Sequence, residues 1–172
     1  MLKLLGCLFI FAASSGMAYS LVLGLYSQIR QTELLLRLVT AVEGEVAYSR
    51  SPLPELLSKL AGHLPEPYQE LLTEASRQME DNREADIPAL WTESCVRFQK
   101  QFSLPQEAYE VLLSIGEVFS YTSLESSLQL LQLGKKRLDG AMQRLDAEFS
   151  GKRKLYCCLC YMAGFSCIIL LL

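Results

Sequence analysis

Residues 34–57 read Leu34-Leu-Leu-Arg-Leu-Val-Thr-Ala-Val-Glu-Gly-Glu-Val-Ala-Tyr-Ser-Arg-Ser-Pro-Leu-Pro-Glu-Leu-Leu57. At about 100° per residue, Leu35, Leu38, Val39, Val42 and Val46 fall in one apolar stripe, with Arg37, Thr40 and Gly44 on the far side. This is a long amphipathic helix. A two-residue corner follows, where Ser51 is suited to cap a second helix and Pro52 to occupy its first position, which needs no N–H. Glu43 and Glu45 are two residues apart on the first helix, so they point in different directions and cannot act as a carboxylate pair. Glu43 borders the outer face. Glu45 projects beside the apolar stripe, an unusual place for an acid.

Outward from this stretch, composition divides the chain into three. The 172 residues allow one domain. No charge occurs from Leu4 to Tyr26, a run of 23 residues, or in the 18 residues from Leu155 to Leu172. The first run is long enough to cross a bilayer core and the second is near the lower limit. Between them, fifteen basic and nineteen acidic residues give a net charge of −4, which offers no electrostatic case for nucleic acid. The expected organisation is a transmembrane helix over 1–26, a cytoplasmic domain over 27–154 and a transmembrane helix over 155–172. Lys152-Arg153-Lys154, before the second run, sets that orientation by the bias of basic residues to the cytoplasmic side.

Two other readings of the first run compete. Gly16-Met17-Ala18 resembles a signal-peptide cleavage site, which would release a secreted helical binding protein after cleavage near Ala18. The apolar run continues past that site through Leu21-Val-Leu-Gly-Leu25, and this favours a membrane anchor. Leu4-Leu-Gly-Cys7 has the form of a lipid-attachment motif but lacks an apolar run before it. Five of the six cysteines lie in or beside the two runs, leaving Cys95 alone in the domain, so an oxidising compartment is not indicated. Cys157, Cys158 and Cys160 read as small apolar residues of a span; metal binding or acylation there is the alternative.

Within the domain, helical spacing continues. After helices at about 28–49 and 53–61, a third begins near Glu66-Pro67 and carries Tyr68, Leu71, Leu72, Ala75 and Met79 on one face. A fourth, introduced by Asp86 and Pro88, carries Leu90, Trp91, Cys95, Phe98 and Phe102 as core. Ser103-Leu-Pro-Gln106 and Thr122-Ser-Leu-Glu125 have capping-box form and open a fifth and a sixth helix. The sixth runs through Leu145 and Phe149 toward the second uncharged run, with Gly151 as the interruption. His63 sits in a turn. The fold class is all-α, an antiparallel bundle of about six helices flanked by the two transmembrane helices. Its first and last helices lie side by side, and Trp91, Phe98, Leu112 and Leu145 are core.

Glu43-x-Glu45-Val46-x-Tyr48 with Pro52-Leu53 also resembles the stage III sporulation protein AB family, as do Met1-Leu-Lys-Leu-Leu-Gly6, Gly116-Glu117 and the hydrophobic tail. Arg50-Ser-Pro-Leu-Pro-Glu-Leu-Leu57 is more distantly similar to the F-type platform proteins of type II secretion and type IV pili. The resemblance implies a non-catalytic membrane scaffold of a secretion-like channel complex for endospore formation, in the mother-cell membrane around the forespore. It implies the other stage III A proteins as partners, notably the secretion-type ATPase stage III AA. Full platform proteins repeat the domain, and a homodimer could supply the second copy here. The residues assigned to partner binding are Glu43, Glu45, Arg50, Ser51, Pro52 and Glu117. For Glu45 a structural role, reaching a hydroxyl or a basic side chain of a neighbouring helix, stands beside the docking role. Glu43 and Arg50 read as surface residues whose reversal leaves folding alone.

Catalytic signatures are missing from the sequence. There is no P-loop, HExxH, dinucleotide glycine turn or nucleophile motif, and Gly134-Lys135-Lys136 lacks the earlier glycine and the hydroxyl that phosphate binding needs. No enzyme activity, cofactor or metal is expected. The orientation is open to a direct test. In a chain whose native cysteines are replaced, Asn82→Cys is expected to stay unlabelled by an impermeant thiol reagent added to intact cells; labelling from outside refutes it.

Overall fold

In the computed structural model the backbone is described for residues 2–48, 52–82, 86–120 and 123–171, and side-chain surroundings for 16, 20, 23–48, 52–82, 86–120, 123–151 and 162. The described residues form six α-helices: α1 Leu2–Tyr48, α2 Leu53–Ala61, α3 Tyr68–Asp81, α4 Ile87–Phe98, α5 Gln106–Val118 and α6 Leu124–Leu171, with a 3-10 turn at Gln99–Gln101 after α4. Among the described residues there is no strand. The helices form two compact units, Met1–Ile29 with Gln143–Leu172, and Arg30–Met142.

Among the described residues of the first unit, three large apolar side chains stand open: Leu23, Tyr26 and Met162. Leu145 is buried there, as its spacing requires. Gly151 does not interrupt α6, which is helical on both sides of it. Among the described residues no helix is long and apolar enough to cross a membrane. Most of the two uncharged runs lies outside the residues whose side chains are described, as do Lys152-Arg153-Lys154, Cys7, Cys157, Cys158 and Cys160. The two flanking membrane spans therefore rest on the sequence alone.

The second unit is built on the stripe of α1. Leu35, Leu38, Val39 and Val42 are fully buried, in one cluster with Leu57 of α2, Leu71 and Leu72 of α3, Trp91 and Cys95 of α4, Leu112 and Ile115 of α5, and Leu138 of α6. Burial of this apolar surface, at about 25 cal/mol per Å², is the driving term. Polar contacts set which turn meets which. Tyr68 Oη donates to the carbonyl of Gln31 at 2.9 Å, and burial, with Cys95 nearby, pushes its phenol far above the ordinary range. Ser76 Oγ donates to the carbonyl of Pro54 at 2.7 Å, fastening α3 to the first turn of α2.

Between α3 and α4 the joint is ionic. Glu74 accepts from Arg77 and Gln78 on its own helix and from Arg97 across at 3.1 Å. Hydrogen bonds from Arg77, then from Gln78, hold its carboxyl below the usual carboxylate range. The joint between α4 and α5 is steric. The indole of Trp91 donates Nε1–H to the carbonyl of Leu112 at 2.9 Å. One turn farther along α5, Gly116 presents bare backbone to the same ring, and a Cβ there would come within 2.7 Å of Trp91 Cδ1.

Several local expectations change. Pro52 occupies the cap position of α2 rather than its first turn, which holds Pro54 instead; Ser51 lies outside the described residues. Similarly, α3 starts at Tyr68, after the prolines. Asp86 stands at the start of α4 but makes no side-chain cap. Ser103 opens no capping box, because Pro105 takes the cap position; the Ser103 N–H instead donates to Gln31 Oε1 at 2.6 Å. Thr122 is outside the described residues. Phe98 and Phe102 are half-buried rather than core, because α4 ends at Phe98 and the 3-10 turn swings the chain off the helical stripe. Phe102 packs on Tyr68 instead, ring centroids 5.0 Å apart.

Two glycines in helices then make opposite predictions. Replacing a mid-helix glycine by alanine gains roughly 0.5–1 kcal/mol of backbone entropy and propensity. At Gly44 nothing lies within 4 Å of an added Cβ, so Gly44→Ala is expected to stabilise by about that amount. At Gly116 the clash with the indole exceeds the gain, since overpacking costs about 1–3 kcal/mol. Gly116→Ala and, more strongly, Gly116→Val should lower stability and shift the emission of Trp91, the only tryptophan. Denaturant melts of the full chain in detergent, followed by that fluorescence, check both signs.

Candidate docking corner

The C-terminal turns of α1 and the start of α2 form the corner where sequence reasoning placed the partner-binding residues. Glu43 and Glu45 flank the buried stripe on opposite sides, and their side chains are almost equally shielded, 21% and 22% exposed. Each meets a lysine of a different helix. Lys135 of α6 donates to Glu43 Oε2 at 2.8 Å, and Lys59 of α2 donates to Glu45 Oε1 at 2.6 Å. The two acids thus spread like braces from α1 to its neighbours on either side, and α1 and α6 do lie side by side at this level.

The structural reading of Glu45 agrees with this geometry, since it reaches a basic side chain on a neighbouring helix. The reading of Glu43 as an outer-face residue needs correcting. A helix in the bundle has neighbours on both borders of its stripe, so a position about 80° from the stripe centre faces α6 rather than open solvent. Glu43→Lys would set two lysines against each other and is not a neutral surface reversal. Arg50 and Ser51 are outside the described residues. Pro52 is exposed. Glu117 is exposed on α5, directly after Gly116, which packs on Trp91 at the start of α4.

Sequence reasoning passed over Tyr48. It ends α1 with 94% of its surface exposed, and the signal was available, since the same 100° step puts it about 140° from the stripe centre. Also unforeseen was a groove of about 510 Å³ beside the corner, where the first turn of α2, the end of α3 and the start of α4 meet. Pro52, Leu53, Met79, Ile87 and Leu90 give it an apolar lining, and Glu55 and Glu80 sit at its edge. No local pattern could reveal it, because its walls come from three helices. Among the described residues no group of three or more His, Cys, Asp or Glu is placed to hold a metal ion.

With the fold and corner established, comparison with known proteins decides the family. The model of the stage III sporulation protein AB family matches residues 3–172. The chain belongs to that family. Its role therefore lies in sporulation. The stage III sporulation protein AB of Bacillus subtilis (strain 168) is 26% identical over 172 residues, covering 100% of both chains. A solved structure titled stage III sporulation protein AB superimposes with a TM-score of 0.67 at 22% identity, over 72% of this chain and 97% of the other. At that identity the likeness concerns the fold, and it agrees with the all-α bundle.

The two braces should differ in strength. Lys59 is 61% exposed and Lys135 only 32%, so solvent screens the first pair more. A double-mutant cycle of Glu45→Gln with Lys59→Met is expected to give a coupling at or below about 1 kcal/mol, and the cycle of Glu43→Gln with Lys135→Met a larger one. Exchange of charge within one chain, Glu43→Lys with Lys135→Glu, should recover much of the melting temperature lost by either change alone.

Proposed function

We propose that the protein is a non-catalytic scaffold of a secretion-like channel complex for endospore formation, held by both ends in the mother-cell membrane around the forespore, with the domain over 27–154 in the cytoplasm. Its partners on this reading are other stage III A proteins, notably the secretion-type ATPase stage III AA, which docks at the corner. The observation that carries the docking role is Tyr48. An aromatic ring 94% exposed at the end of a helix is a large apolar surface left in water, and aromatic anchors dominate binding energy at protein interfaces. The braces to α2 and α6 keep the helix end in place, so little order has to be gained on binding. Support for the membrane anchors comes from the two uncharged runs and from the exposure of Leu23, Tyr26 and Met162 in the unit that contains them.

The division of labour between brace and contact gives the test. Tyr48→Ala and Arg50→Glu in the full chain should leave the melting temperature within about 1 °C, as for surface changes away from packed sites, yet weaken pull-down of the stage III AA ATPase by tenfold or more and reduce spore formation. Glu45→Gln should lower the melting temperature and weaken pull-down only to the extent that it unfolds the corner. Normal sporulation by both Tyr48→Ala and Arg50→Glu would show that the ATPase docks elsewhere.

A further inference from the structure

The groove beside the corner and one face of α6 are complementary, and neither is covered within the described residues. On α6 the buried seam runs through Ser127, Leu131, Gly134, Leu138 and Ala141. About 120° around the helix from that seam is Leu133, 47% exposed. Within roughly 40° of Leu133 on the helical wheel lie Ser126, Gln129, Arg137 and Gly140, with Lys136 at about 60°, a face with one exposed leucine at its centre, two cations and no acid; Leu130, at its other border, is packed against the core. Lys136 and Arg137 are exposed, whereas Lys135 is turned to Glu43.

The groove has the opposite character. Its apolar floor includes Met79, Ile87 and Leu90, and Glu55 and Glu80 edge it. Asp81 and Asp86, next to its lining residues in the chain, are exposed as well. Among the described residues of 52–55 and 79–86 there are four acids, Glu55, Glu80, Asp81 and Asp86, and no base, so the local balance is acidic. At about 510 Å³ the groove is of a size that admits a few side chains of one helix face, the helix-in-groove mode in which anchors sit three to four residues apart. Leu133 is the exposed apolar anchor, and Lys136 and Arg137, three and four residues on, extend one turn beyond it toward a rim of acids. An anionic lipid surface is a poor occupant for the same reason, since the rim would repel it.

We infer that the groove between α2, α3 and α4 receives the Leu133–Lys136–Arg137 face of α6 from a second copy of this chain. The self-contact uses the Leu133 anchor for affinity and the Glu80 rim against Lys136 and Arg137 for register. It stands independently of ATPase docking at Tyr48, so either can fail alone.

Two proteins with one accessible cysteine each test it, both the full chain in detergent with the cysteines other than buried Cys95 replaced. One carries Glu80→Cys and the other Arg137→Cys. Mixed and treated with a short bifunctional maleimide, they should cross-link far more than either protein alone, and more than Glu70→Cys mixed with Arg137→Cys, Glu70 being at the opposite end of α3. In an otherwise native chain, Glu80→Lys and Arg137→Glu should each weaken self-association, read by light scattering, about tenfold, and the two changes in one chain should restore it. Self-association that is absent in the native chain, cross-linking no better than the Glu70 control, or a double reversal no better than the singles would each overturn the inference. All three variants carry their melting temperature as a check on folding, and Leu133→Gln supplies a change without charge that should also weaken association.

Discussion

The bundle depends on the fit of one indole against one bare turn of helix. Trp91 is wholly buried, donates to the Leu112 carbonyl and lies where any side chain at position 116 would have to be. The contact fixes how close α4 and α5 come and which turn faces which. A hydrogen bond of this kind contributes about 1 kcal/mol net, small beside the apolar area the ring removes from water. Its larger effect is on uniqueness: the donor would be unsatisfied in any other register, and a buried unsatisfied group costs more than the bond gains. The remaining joints in the second unit follow the same plan. Ser76 to Pro54, Glu74 to Arg97, Glu45 to Lys59 and Glu43 to Lys135 each tie one helix to another with one polar contact, over an apolar core that supplies the energy.

This plan explains what could be read in advance. Periodicity reports burial, so the α1 stripe and the inward positions Trp91, Cys95, Leu112 and Leu145 were legible. It reports nothing about where a helix stops. Phe98 and Phe102 kept helical spacing in the sequence while the chain itself had turned into a tighter helix, and Ser103 looked like a cap while a proline two residues later held that place. Long-range partners were out of reach for another reason. Glu45 meets a lysine 14 residues away and Glu43 one 92 residues away, and no local rule pairs an acid with a base across those distances. The groove was hidden in the same way.

The residues that carry the family resemblance divide by job. Gly116 makes room for an indole, and the two glutamates tie α1 to its neighbours. Their surroundings therefore explain them without any partner. Tyr48 has no such explanation, being nearly free of the bundle. A motif read in one dimension merges residues that hold a surface in place with residues that form it, and burial separates them.

The lone thiol of the bundle has a use of its own. Cys95 is fully buried in the core, and burial pushes its ionisation up to about 12. A thiol so placed is both out of reach and almost entirely protonated at neutral pH, so alkylating and oxidising reagents meet it only when α4 leaves its neighbours. Its rate of modification is accordingly a clock for opening of the core, built into the native chain.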